Sequence, residues 1–321
     1  MPLPAGDVEG LLVTVKKTVR RRAPRLVGLA GAVVLSSSLS IPMMAPVSAE
    51  PTSGNTFNTV AEMAQVSGAS GTLTTLGDEA PGDGGGLTYN VEGVSPGGAL
   101  GAVSVMLADG QWAVPQGLPA SPAAGPDGAA ANDVVARTQS FVNAGGSLVS
   151  DASRPTPLSG ANAHASGPAP YAITSSALVG MVLSGWDYSH TTYVAEENTR
   201  VGTWVDFGQT SGSDLAKANE LARWFYVNGD LWLNTADDYQ RGDILFFSRQ
   251  SPEGSGTTGD DFANVYDTAI YLGDGKVIHS RGAGAGVVVE SLPESLRRDL
   301  SLIARPQWRS APVATGWPSA L

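Results

Sequence analysis

The chain has 321 residues, a formal charge of −11, three histidines and no cysteine. That charge works against nucleic acid and anionic lipid surfaces as partners. The missing thiol excludes disulfides, a cysteine nucleophile and zinc–thiolate sites. Scattered histidines make no zinc pattern, and Gly259-Asp260-Asp261 lacks the alternating oxygen ligands of a calcium loop, so no cofactor or metal is expected.

Residues 1–49 read as a signal peptide. Lys16, Lys17, Arg20, Arg21, Arg22 and Arg25 precede an apolar run from Leu26 to Leu39. Val47-Ser48-Ala49 then supplies a small-residue cleavage site before Glu50. The run is shorter than the roughly 20 residues that span a bilayer. The expectation is a secreted protein, extracellular or cell-wall associated and free of the membrane after cleavage.

Residues 50–115 are expected to form a small Gly-rich β-module. Pro81-Gly82-Asp83-Gly84-Gly85-Gly86 leads to a segment with apolar residues at Val103, Val105 and Leu107 and a turn at Asp109-Gly110. This pattern reads as a hairpin with Trp112 on its return strand. The arrangement resembles a β-module found ahead of β-helix domains in phage tail-spike and related carbohydrate-active proteins, which implies a cell-wall glycan as a further partner. The simpler reading is a glycine-rich turn with a core tryptophan.

Residues 116–131 are rich in Pro, Ala and Gly and read as a linker. Val134 to Val142 reads as a short helix capped by Asn132 or Asp133, and residues 145–170 as a loop. Ser175 to Leu183 is an apolar helix-length run after a hydroxyl-rich start, Thr174-Ser175-Ser176. Asp214 to Tyr226 reads as a second helix, capped by Ser213 or Asp214 and stopped at Asn228-Gly229. Strands follow at Ile244–Phe247, Asp267–Leu272, Lys276–His279, Gly286–Glu290 and Leu302–Ala304. Helices first and strands after indicate an α+β fold, with a domain over 132–312 and a tail at 313–321.

Four stretches in this order resemble the NlpC-type cell-wall peptidases, a papain-like family of peptidoglycan endopeptidases. Ser175-Ser176-Ala177-Leu178-Val179 … Gly185-Trp186-Asp187-Tyr188 fits the family's cysteine-bearing helix and the turn after it. Ala218-Asn219-Glu220-Leu221-Ala222 … Asn228-Gly229 fits the intervening helix. Arg241-Gly242-Asp243-Ile244-Leu245-Phe246-Phe247 fits a Pro-Gly-Asp strand. Asp267-Thr268-Ala269-Ile270-Tyr271-Leu272-Gly273 … His279 fits the hairpin that carries the histidines. The resemblance implies helices packed on an antiparallel sheet, and peptidoglycan or muropeptides as partner.

In that family the nucleophile is a cysteine at a helix amino terminus, paired with an imidazole. Here the resemblance puts Ser175 at the cysteine position, Asp267 at the base position and His279 at the orienting position. A serine needs a general base during attack, and an aspartate is weak in that role unless strongly desolvated. Three readings therefore compete. One is a degenerate member that keeps its groove and binds stem peptides without cleaving them. The second is a rebuilt serine hydrolase, with Ser175 attacking, His279 as base and Asp267 orienting it. The third is an adhesion or assembly module in which Ser175 merely caps its helix. Trp186 and Tyr188, with Trp224, are candidate ligand platforms, although aromatics beside helices are more often core. His164 and His190 read as solvated loop residues.

Overall fold

The computed structural model describes residues 54–310 apart from 124, 126, 145–147, 150–170, 186–201, 209, 211, 250–261 and 282–284. The signal-peptide segment, the tail, Trp186, Tyr188, His164, His190 and most of the 145–170 loop lie outside the described residues.

The first half carries β1 (Thr56–Phe57), α1 (Val60–Ala64), β2 (Thr72–Thr75), β3 (Thr88–Glu92), α2 (Gly98–Ala102), β4 (Val105–Met106) and β5 (Trp112–Gln116). They form a sheet in the order β1-β2-β3-β5-β4, antiparallel except for the β1–β2 pair. The expected hairpin is β4–β5, with Val103, Val105 and Leu107 buried and Met106 exposed between them. Gly110 turns it at φ 84°, a conformation that costs glycine little.

The glycine-rich turn is built around a carboxylate. Asp83 accepts hydrogen bonds from the N–H groups of Asp78, Glu79, Ala80 and Gly85 and pairs with Arg223 at 2.6 Å. A Cβ on Gly85 would come within 2.5 Å of the Asp78 side chain, and one on Gly86 within 2.7 Å of the Thr75 carbonyl. Close backbone approach is what requires glycine here.

Next come α3 (Gly128–Ala144), β6 (Leu148–Val149), β7 (Tyr171–Ala172), α4 (Ser175–Leu183), β8 (Thr203–Trp204), α5 (Gly212–Leu215) and α6 (Ala218–Val227). Two of these differ from the sequence expectation. Helix α3 starts six residues early because Asp127, not Asn132 or Asp133, accepts the N–H groups of Ala129 and Ala130. Gly128 to Ala131, read as linker, are its first turn. Asp133 is occupied elsewhere, with Arg137 at 3.0 Å and with Thr203. The helix expected over Asp214–Tyr226 is broken between α5 and α6. The Ala216 carbonyl, a natural acceptor within a continuous helix, instead accepts from the Thr174 and Ser176 hydroxyls at the start of α4.

The second sheet contains β9 (Leu231–Leu233), β10 (Ile244–Ser248), β11 (Val265–Gly273), β12 (Lys276–Arg281), β13 (Gly286–Ser291) and β14 (Leu300–Ala304), with α7 (Glu294–Asp299) before β14 and β15 (Arg309–Ser310) after it. Its order is β13-β12-β11-β10-β14-β9 and every pairing is antiparallel. Strand alternation gives it two apolar faces. Ile244, Phe246, Ile270, Ile278 and Leu302 join Leu178, Val179, Leu221 and Phe225 of α4 and α6 in the main core. Leu245, Phe247, Ala269, Val277 and Ile303 form a second cluster with Trp232, Leu300 and Leu296. Among the described residues, no helix is long and apolar enough to cross a membrane.

Candidate functional site

Helix α4 begins at Ser175 because Thr174 caps it. Thr174 is extended (φ −88°, ψ 167°), and its hydroxyl accepts the Ala177 N–H. All nine residues of α4 are buried, so its amino end is pinned against the sheet. The reading in which Ser175 caps its helix is corrected: Thr174 does that work. This leaves the Ser175 hydroxyl to point at strand β12. It donates to the Ser280 carbonyl and accepts the Ser280 N–H, each at 3.2 Å. The Ser280 hydroxyl in turn donates to the Ile173 carbonyl at 2.7 Å, fixing strand and helix start together.

Asp267 is placed by an irregularity in β11. Phe247 pairs with Asp267 but Ser248 with Val265, so Tyr266 is an extra residue in the strand. Such a bulge re-aims the side chains around it. From Asp267 to Tyr271 the register is regular. Tyr271 pairs with Val277, and Val277 with Glu290. Period-two alternation therefore puts Asp267, His279 and Glu290 on one face of the sheet.

The three groups are not equivalent. Burial pushes the Asp267 carboxyl above the ordinary carboxylate range. The Ser175 hydroxyl, the Thr268 N–H and the nearby His279 and Arg249 oppose that rise without cancelling it. The His279 imidazole gives its Nε2 to Glu290 at 2.9 Å, and Glu290 also meets Arg281 at 3.3 Å. The other ring nitrogen, Nδ1, is buried and has no hydrogen-bond partner among the described residues. The structure thus brings Ser175 and Asp267 together and sets His279 beside Asp267. Among the described residues no hydrogen bond joins the imidazole to the Ser175 hydroxyl.

Sequence reasoning named the three positions but missed their neighbours. Glu290 was legible only as a strand residue, because its link to His279 depends on the β12–β13 register. Arg249, whose guanidinium lies 4.1 Å from the Tyr266 ring centre, carried no motif. Trp224 packs between Phe207 and Phe225, with ring centroids at 4.7 and 5.2 Å, which is a core role. Among the described residues, no cluster of His, Asp and Glu could hold a metal ion.

Chemically, the site offers a hydroxyl engaged by backbone, a desolvated carboxyl and an imidazole held by a second carboxylate. Such a set can bind polar groups. For attack by Ser175, the group in contact with the hydroxyl is the Asp267 carboxyl and, among the described residues, no imidazole reaches it.

No protein-family model and no curated protein matches the chain. Among solved structures, it is similar to an NlpC/P60 family protein from Bacillus cereus and to a hypothetical invasion protein of Mycobacterium tuberculosis, each at 17% identity. The first match covers 63% of this chain and 50% of that one with a TM-score of 0.30. The second covers 59% and 69% with a TM-score of 0.29. The chain spans half the length of the first of these proteins.

Proposed function

We propose that this is a secreted, cell-wall-associated protein whose papain-like, NlpC-type domain over 132–312 binds peptidoglycan stem peptides without cleaving them. In this reading residues 1–49 are a signal peptide, 50–115 a Gly-rich β-module that contacts other wall glycans, and 117–127 the connection between the two parts, with Gly128–Ala131 belonging to α3. Trp186 and Tyr188 are the ligand-binding aromatics of this reading. The observation that carries the reading is the state of the Ser175 hydroxyl. It is taken up by both backbone groups of Ser280, with a carboxyl and not an imidazole as its side-chain neighbour. Order of motifs supports the wall ligand, and the lost thiol supports binding over turnover.

A pull-down with insoluble peptidoglycan, run beside a muropeptide-release assay, tests this. Binding without release is the expected result. Release that disappears in Ser175→Ala would overturn it in favour of the rebuilt serine hydrolase. One observation favours that second reading: the His279–Glu290 pair is an imidazole already oriented by a carboxylate.

A further inference from the structure

The chain enters β11 through an unfavourable conformation. In the tight turn Phe262–Asn264, Ala263 (φ 52°) and Asn264 (φ 57°) are both left-handed. Asparagine tolerates that region, whereas alanine has a Cβ that resists it and no polar group to compensate. All three residues of the turn are buried. Strained backbone of this kind persists only where its surroundings over-determine it.

The first half of the chain supplies those surroundings. The Asn264 side-chain amide donates to the Ala102 carbonyl at 3.0 Å and to the Ser104 carbonyl at 2.8 Å, which uses both of its hydrogens. These acceptors lie at the carboxyl end of α2, where a helix leaves carbonyls without intrahelical donors. The Ser104 hydroxyl closes that end on the Leu100 carbonyl at 2.7 Å. Elsewhere in the turn, the Asn264 carbonyl accepts the Arg249 N–H at 3.1 Å, and the Phe262 ring packs 5.3 Å from that of Tyr226 in α6.

Clamp and register meet at Tyr266. Pairing with β10 fixes β11 from Asp267 to Ile270, and the amide clamp fixes it at Asn264. Between them the chain has one residue more than β10 has partners for, and Tyr266 bulges out. Asp267 is the first paired residue after the bulge. Its carboxyl therefore has regular strand on one side and the clamped turn on the other.

We propose that Asn264 is a positioning residue: by clamping the entry of β11 to Ala102 and Ser104, it holds the Asp267 carboxyl buried against Ser175. The first half of the chain is then a support of the candidate site. The role is the same whether the site binds or cleaves.

The test is the titration of the Asp267 carboxyl, followed by NMR on the full chain with isotope-labelled aspartate and assigned with Asp267→Asn. The groups that face this carboxyl are Ser175 from α4, the Thr268 N–H from β11 itself, His279 from β12 and Arg249 beyond β10, and the variants alter none of them. Asn264→Gly keeps the left-handed backbone at little cost and removes both donors. Its Asp267 midpoint is expected to fall from the raised value into the ordinary carboxylate range as the carboxyl gains water. Asp83→Asn weakens a different contact between the same halves of the chain, the one with Arg223, and should leave the midpoint in place. An unchanged midpoint in Asn264→Gly, or an equal shift in Asp83→Asn, would overturn the proposal. Hydrogen exchange on the unaltered protein gives a reading that needs no variant. The amides of 102–104 and 264–268 should open together, with the same dependence on denaturant. Opening of 264–268 while 102–104 stay protected would also overturn it.

Discussion

The Ser175 hydroxyl sits between the N–H and the C=O of Ser280, 3.2 Å from each, across 105 residues of sequence. A hydroxyl has one hydrogen, so donation to the Ser280 carbonyl and donation to the Asp267 carboxylate exclude each other. When Asp267 is protonated it can donate to Ser175 instead. In every arrangement the hydroxyl is tied to the junction of α4 and β12.

Ser175→Ala should therefore act on stability. It leaves the buried Ser280 N–H without this acceptor, at a cost of about 1–3 kcal/mol. Chemical denaturation of the two proteins measures the difference, and an unchanged midpoint would remove Ser175 from the junction.

Asp267→Asn should stabilise the protein near neutral pH. The folded-state pKa is raised, chiefly by burial, so the native state holds the proton more readily than the unfolded chain. Stability of the parent then falls as pH rises from the ordinary carboxylate range through the folded pKa. The variant lacks this loss. Melting temperatures across pH 3–8 (about the carboxylate range and above) should converge at the acid end, with the variant higher at the neutral end.

Asp83→Asn should do the opposite. Burial works against that carboxyl, but the N–H groups of Ala80, Gly85 and Asp78 and the Arg223 guanidinium outweigh it and lower the pKa. A lowered folded pKa contributes stability that is present above the unfolded value and lost as pH falls through the folded one. The variant should be less stable at neutral pH by about 1.5–3 kcal/mol, the worth of hydrogen bonds to a charged group. The gap should close in acid.

The buried pair Asp243–Arg305, joined at 2.7 and 2.9 Å, gives a further test. Arg305→Met leaves an uncompensated buried carboxylate and should cost about 3–5 kcal/mol. Replacing both partners with apolar residues of similar size should recover most of that loss. A double-mutant cycle in urea separates the two outcomes.

The sequence by itself determined those features whose cause is local. Alternation at Val103, Val105 and Leu107, the Gly273-Asp274-Gly275 turn and the uniformly apolar run after Thr174 each specify their element through period or backbone conformation, and all are present. It also fixed the absence of a thiol. Only the tertiary structure decided the rest. The Ala216 carbonyl went to hydroxyls of α4 and broke a helix that looked continuous, because a distant donor outcompeted the local one. Likewise Asp127 displaced the nearer caps of α3. The partners of the site residues are also non-local. Ser175 finds Ser280 and His279 finds Glu290 through helix docking and strand register, which depend on how whole faces pack and leave no trace in the spacing of single residues.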